Sequence, residues 1–187
     1  MRNEIIFIIC YFLVIFACCY VDFHILLINI YRKRYHLDKV KCYRMIEDID
    51  YCMKRHGVFY YMSEGTALGL YRDGDLIEWD DDVDIGIFEE DFERFKVYVV
   101  PEMVRLGYVY NNLGFVGRQH VMDVELVGVG RKCCSKYWRL CDEMIPYLKT
   151  FKKIRWRGMD LSLPGEGYYE YLYGKDWKIP QGKKPER

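Results

Sequence analysis

Residues 62–87 read MSEGTALGLYRDGDLIEWDDDVDIGI, and this stretch decides both the fold and the chemistry that the chain can support. Four aspartates lie within five positions, at 80–82 and 84, and the alternating apolar residues around them predict a half-buried strand. Because side chains alternate along a strand, Asp82 and Asp84 are expected on one face. Carboxylates this close repel one another by about 1 to 3 kcal/mol, which favours a bound cation.

Carboxylate oxygens are the ligands that Mg²⁺ or Mn²⁺ prefers, so either ion is the expected cofactor. An exposed acidic turn without a ligand is the simplest alternative, but the predicted burial of the strand argues against it. An EF-hand loop beginning at Asp80 would need Gly at its sixth position and Glu at its twelfth, where the chain has Ile85 and Asp91. A sugar transferase that holds its nucleotide through a bare Asp-x-Asp pair remains an alternative.

The segment Ser63-Glu64-Gly65-Thr66 follows a short predicted strand and precedes Asp82 by less than twenty residues. Glycine there lets backbone amides approach a phosphate, and Thr66 adds a hydroxyl. A second acidic strand is predicted at 120–127. A glycine turn, a two-carboxylate strand and a further carboxylate are typical of nucleotidyltransferase-type sites.

The spacing of apolar residues predicts the helices and strands of the rest of the domain. Apolar residues at three- and four-residue steps predict an amphipathic helix over 38–56, with Gly57 as its stop. Further elements are predicted as a strand at 58–62, a turn at 73–75, an extended return at 76–79, a strand at 83–87, a helix at 89–106, a strand at 108–110, a turn at 111–114 and a helix at 168–173. Pro101 is expected to kink or split its helix. This mixture predicts an α+β sheet domain.

The amino-terminal segment is apolar over 5–21 and mostly apolar to residue 31, and a basic cluster follows at 32–34. This pattern predicts a single membrane helix that enters the lipid bilayer through residues 5–31. A cleaved signal peptide is the alternative, since Ala17 and Cys19 are small, but the apolar run continues past them. The positive-inside rule favours a cytoplasmic body.

Composition excludes some classes of partner. Lys and Arg total 28 against 28 Asp and Glu, so no global charge favours nucleic acid as a partner. The chain has eight cysteines, but Cys133, Cys134 and Cys141 lack the paired CxxC spacing of a structural zinc site.

The stretch 62–87 resembles the LicD and fukutin family, which includes fukutin-related protein and bacterial phosphocholine transferases. The family pattern is carried, in order, by Ser63, Gly65, Thr66, Leu68, Gly69, Arg72, Gly74, Trp79, Asp80, Asp82 and Asp84. The run Tyr173-Gly174-Lys175-Asp176-Trp177, with Ile179-Pro180, is similar to a family-terminal motif. The resemblance spans about residues 40–180.

The resemblance implies transfer of a phospho-alditol or phosphocholine group from a CDP-linked donor to a glycan hydroxyl, with CMP leaving. It implies a nucleotidyltransferase-like mixed sheet with flanking helices over 38–181, between the anchor at 1–34 and a tail at 182–187. Eukaryotic family members mostly place this body in the secretory lumen, which implies a Golgi or ER membrane and leaves the side open. A catalytically inactive, anchored family member is a further alternative.

The resemblance also implies roles for individual residues. Asp82 and Asp84 would hold the metal, with Asp123 as the third carboxylate and acceptor base. Asp80 and Glu125 are further candidates for these roles. Donor phosphates would be bound by Ser63, Gly65, Thr66 and Arg72, with Arg118 as an additional candidate.

Overall fold

The structure is a computed structural model that describes residues 38–80, 82–110, 114–117, 120–127 and 144–180. All of them belong to the second of two units of the chain, residues 37–187. Within these ranges no helix has the length and hydropathy needed to cross a bilayer. The predicted anchor at 1–34 and the tail at 182–187 lie outside the described residues, so both stay predictions.

The described part of the chain alternates helices and strands. The helices are α1 (Lys39–Arg55), α2 (Glu64–Arg72), α3 (Glu89–Arg94), α4 (Val100–Arg105) and α5 (Glu166–Tyr173). The strands are β1 (Tyr60–Met62), β2 (Val83–Phe88), β3 (Val109–Tyr110), β4 (Gly114–Gly117), β5 (His120–Val127), β6 (Phe151–Trp156) and β7 (Met159–Pro164). A short 3₁₀ helix spans Ile145–Tyr147. The predicted α+β class is confirmed.

Within the described residues, the main sheet has five strands in the order β1-β2-β5-β4-β3. Strands β2 and β5 are parallel, and the other pairs are antiparallel. The strand predicted at 83–87 is confirmed as β2, but it is not half-buried. Val83, Ile85 and Ile87 are fully buried, and Asp84 on the alternate face is only 7% exposed. As an internal strand, β2 is hydrogen-bonded along both edges, and the burial of residues on both faces shows that other elements cover the two sides of the sheet.

Helix α1 packs on this core through the residues that the sequence periodicity predicted. Asp38 caps its first turn by accepting a hydrogen bond from the Lys41 backbone N–H, and Gly57 follows its end with φ +62°. The buried positions include Cys42, Met45, Ile46, Ile49, Cys52 and Met53. Cys42 and Cys52 are free thiols.

A π-helical turn, Phe95–Val99, joins α3 to α4. Within it the Val100 N–H donates to the Phe95 carbonyl, five residues back. Pro101 immediately follows and has no N–H to donate, so the usual four-residue pattern cannot continue there. The predicted interruption of the helix 89–106 is confirmed.

The β6–β7 hairpin was not predicted from the sequence. Its two-residue turn consists of Arg157 and Gly158, which have φ +46° and +85°, the backbone region that such turns require. The Trp156 indole N–H donates to the Gly74 carbonyl at 3.1 Å. This bond ties the hairpin to the loop that leads into the acidic stretch.

Two local predictions differ from the structure. Residues 76–79 do not form an extended return; Glu78 and Trp79 form a turn instead, and the Asp80 N–H donates to the Ile77 carbonyl at 3.2 Å. Strand β4 was also missed, because a glycine at each end of a four-residue segment gives little periodic signal.

Candidate active site

Three carboxylates meet where the loop after α2 enters β2. Asp80, Asp82 and Asp84 each offer an oxygen, and these oxygens all lie within 4.8 Å of one another. Asp84 is buried and the other two are half-buried. The structure therefore brings together the predicted pair and adds Asp80, which the sequence suggested only as a further candidate.

The first turn of α2 holds the backbone of Asp84 from two sides. The Asp84 N–H donates to Thr66 Oγ1 at 2.9 Å, and the Ser63 N–H donates to the Asp84 carbonyl at 3.0 Å. Both bonds are buried, since Ser63 and Thr66 are at most 1% exposed. The sequence assigned the Thr66 hydroxyl to a phosphate. In the structure it accepts the hydrogen bond from Asp84 and so fixes where β2 begins.

Ser63 contributes a second feature, an unsatisfied hydroxyl. It occupies the N-cap position of α2, yet its side chain makes no capping bond. Ser63 Oγ is fully buried and has no hydrogen-bond partner among the described residues. Leaving a buried hydroxyl unpaired is unfavourable, so this atom suits a bound polar group at the same turn.

Position 65 requires glycine because the Asp80 side chain lies very close to its backbone. A Cβ at this position would lie 3.2 Å from Asp80 Cγ and closer still to Asp80 Oδ2. The space that the missing side chain leaves open therefore receives the Asp80 carboxylate. The predicted approach of a donor phosphate to Gly65 stays a prediction.

The negative charge of this cluster affects the pKa of the Cys42 thiol, which lies on α1. Burial, together with the negative charges of Asp38, Asp82 and Asp80, raises the pKa of its thiol to about 12. A thiol must lose its proton to bind a metal, so this raised pKa disfavours Cys42 as a ligand. The sequence placed Cys42 in the helix core but offered no sign of its proximity to the carboxylates.

The other residues that the sequence predicted for the site are not part of this carboxylate cluster in the described structure. The Arg72 guanidinium donates two hydrogen bonds to the Asp73 carboxylate, at 2.7 and 2.6 Å, at the opposite end of α2, roughly 12 Å along the helix axis from its first residue. Asp123 pairs with Asp84 in the parallel register of β2 and β5, and Glu125 pairs with Gly86. Their side chains, and all of Arg118, lie outside the described part of the structure.

Comparison with known proteins gives a family. A profile described as "LicD/FKTN/FKRP, nucleotidyltransferase domain" matches residues 57–164. Human ribitol-5-phosphate transferase FKTN is 30% identical over 148 residues, which cover 68% of this chain and 31% of that protein. Mouse ribitol 5-phosphate transferase FKRP is 54% identical over 65 residues, which cover 35% of this chain and 13% of that protein.

The chain thus spans about a third of the length of FKTN. Among solved structures, ANT(2")-Ia in complex with adenylyl-2"-tobramycin superposes with a TM-score of 0.42 at 13% identity, covering 65% of this chain and 68% of that one. The profile match extends over more than half of the 187 residues and contains α2, β2 and the three clustered carboxylates. The chain belongs to the LicD/FKTN/FKRP family of nucleotidyltransferase domains.

Proposed function

We propose that this chain is a metal-dependent phosphotransferase that moves a phospho-alditol or phosphocholine group from a CDP-linked donor to a glycan hydroxyl. The observation that carries the proposal is the cluster of Asp80, Asp82 and Asp84, whose oxygens lie within 4.8 Å of one another. The names of FKTN and FKRP as ribitol phosphate transferases support the phospho-alditol alternative.

The donor set fits Mg²⁺ or Mn²⁺. All three groups are hard oxygen ligands, and close packing of their negative charges is costly without a cation. Such an ion, when bound, neutralises charge on phosphate oxygens and makes the phosphorus easier to attack. Asp80, Asp82 and Asp84 would hold it, and the buried bonds from Ser63 and Thr66 would keep Asp84 in place.

The donor diphosphate would lie beside the Ser63–Gly65 turn. The turn begins α2, whose amino-terminal N–H groups and dipole favour negative charge, and the Ser63 hydroxyl supplies a buried polar atom without a partner in the described structure. In the reaction, the acceptor oxygen bonds to the phosphorus that carries the alditol or choline. The bond from that phosphorus to the bridging oxygen breaks, and CMP leaves.

The proton of the acceptor hydroxyl needs a base. Asp123 is the proposed base, with Glu125 as the alternative, because the backbone of β5 runs parallel to β2 and pairs Asp123 with Asp84. This register would bring the base from a strand far along the chain to the strand that carries Asp84.

The test is an assay of the purified full chain with Mn²⁺ or Mg²⁺, a glycan acceptor, and CDP-ribitol, CDP-choline, UDP-sugars or GDP-sugars as donors. We expect CMP release from one of the CDP-linked donors, and none after chelation with EDTA. Release of UDP or GDP would instead identify a nucleotide-sugar glycosyltransferase. An absence of turnover with every donor would favour a catalytically inactive family member.

Asp84→Asn sharpens the test because it keeps the volume of the side chain and removes its charge. We expect it to lower turnover by about 10³-fold, as the loss of a key electrostatic group does. Asp160→Asn is the matched control, since Asp160 is an exposed carboxylate on β7 that pairs with Arg155. Equal rates for Asp84→Asn and Asp160→Asn would remove the cluster from the reaction.

A further inference from the structure

The turn before α2 is held by a residue from the other end of the domain. The Glu64 backbone N–H donates to Tyr168 Oη at 3.0 Å, across 104 residues of sequence. Tyr168 lies on α5 and is fully buried. This contact links α5, which runs into the family-terminal motif at 173–180, to the candidate active site, a connection that the proposed function does not use.

Glu64 has an unusual backbone conformation. Its φ is +40°, and within the described residues the other non-glycine residue with a positive φ is Arg157, in the turn of the β6–β7 hairpin. A residue with a Cβ is disfavoured in this region, so the turn needs an external contact to keep it there. The hydrogen bond to Tyr168 is such a contact.

The conformation of Glu64 sets the positions of its two neighbours. On one side the Ser63 N–H donates to the Asp84 carbonyl at 3.0 Å. On the other side, Gly65 packs so closely against Asp80 that a Cβ would overlap the carboxylate. The turn therefore lies between two of the three clustered aspartates, and its geometry controls the distance between them.

From this arrangement we infer that Tyr168 is a positioning residue for the metal site. Its hydroxyl holds Glu64 in the positive-φ conformation, and Glu64 in turn places Gly65 so that Asp80 meets Asp84 at the spacing a cation requires. The inference rests on the proposed function, because it gives the carboxylate cluster the role of metal site.

Tyr168 is itself held rigidly. Its ring stands perpendicular to that of Tyr169 at 5.5 Å, and Tyr169 stacks on Trp177 at 4.9 Å. Trp177 in turn contacts Tyr71 of α2 edge-on at 5.5 Å. The terminal segment is thus packed against the same helix whose first turn it positions, which explains how a carboxyl-terminal motif acts on a site near the middle of the chain.

The structure offers a matched pair of variants. Tyr168 and Tyr169 are adjacent, lie on one helix and are both fully buried. The Tyr168 hydroxyl accepts from Glu64, whereas the Tyr169 hydroxyl has no hydrogen-bond partner among the described residues. Tyr168→Phe and Tyr169→Phe each remove one oxygen atom from the same aromatic cluster, and the positioning bond is lost in the first alone.

The test measures Mn²⁺ binding by the full chain in detergent, from the EPR signal of the free ion, together with thermal unfolding. We expect Tyr168→Phe to raise the Kd for Mn²⁺ about tenfold, because a buried N–H loses its acceptor at the turn. Tyr169→Phe should change the Kd by less than about twofold, since no satisfied bond is removed.

A rescue variant separates positioning from general packing. Glycine adopts a positive φ at no steric cost, so in a Glu64→Gly background Tyr168→Phe should weaken Mn²⁺ binding by less than about threefold. Parental affinity in Tyr168→Phe, an equal loss in Tyr169→Phe, or a Tyr168→Phe chain unfolded at the assay temperature would overturn the inference. If the parent chain binds no Mn²⁺, the proposed metal site fails and the inference fails with it.

Discussion

The sharpest perturbation of the carboxylate cluster is one methyl group at Gly65. In Gly65→Ala the new Cβ would lie 3.2 Å from Asp80 Cγ and closer to its Oδ2. Carbon atoms pack at about 3.5 to 4.0 Å, so the carboxylate must move away by roughly 0.5 Å or more. The atoms that the new Cβ meets all belong to the Asp80 side chain, so a rotation of that side chain can relieve the overlap while the backbone stays in place.

The effects on stability and on metal binding should therefore separate. Alanine is up to about 1 kcal/mol better than glycine within a helix, which offsets the cost of moving Asp80. The free energy of unfolding should change by less than about 1 kcal/mol, a shift of roughly 2 to 4 °C in Tm for a chain of this size. Mn²⁺ affinity should fall by about 10- to 100-fold, which is the usual effect of disturbing the groups that orient a metal-binding side chain.

Gly69→Ala is the control on the same helix. Its Cβ would lie 2.6 Å from the backbone oxygen of Asp75 and 3.0 Å from the backbone nitrogen of Ile77, so rotation of a side chain cannot relieve the overlap. We expect a loss of about 1 to 3 kcal/mol in the free energy of unfolding, with a smaller change in Mn²⁺ affinity than in Gly65→Ala.

Urea unfolding and Mn²⁺ titration of the two variants measure these quantities. The reasoning is refuted if Gly65→Ala binds Mn²⁺ with the parental Kd while remaining folded, because Asp80 could then leave its observed position without consequence. In that case Asp80 would not be a ligand.

Two further perturbations test the supports of the fold. Thr66→Val removes the acceptor of the buried Asp84 N–H and should lower the free energy of unfolding by about 1 to 3 kcal/mol in urea titrations. Thr66→Ser keeps a hydroxyl, so its free energy of unfolding should fall by less. Equal losses in the two variants would contradict the role of this bond. A hydrogen bond with His56 lowers the pKa of Glu102 below its ordinary value of 4.5. A lowered folded-state pKa stabilises the fold above that ordinary value and less as the pH falls, so the stability advantage of the parent over Glu102→Gln should shrink as the pH falls from neutral to below 4.5, and a constant gap would contradict it.

The sequence alone determined the features that depend on neighbouring residues. The periodicity of α1 and the stop at Gly57 follow from local geometry, and the structure shows both. The π-helical turn that interrupts the helix 89–106 lies just before Pro101, whose missing N–H is visible in the sequence. The spacing of Asp82 and Asp84 pointed to the cluster for the same local reason.

Tertiary structure decided what depends on contacts between distant segments. Burial of both faces of β2 depends on the elements that pack on the two sides of the sheet, which no pattern within 83–88 encodes. The approach of Asp80 to Gly65 depends on how the loop 73–82 returns over α2, and the link from Tyr168 to Glu64 joins residues 104 positions apart. Such contacts form only when the whole core packs, because their geometry is set by the packing of several elements at once and not by the spacing of residues along the chain.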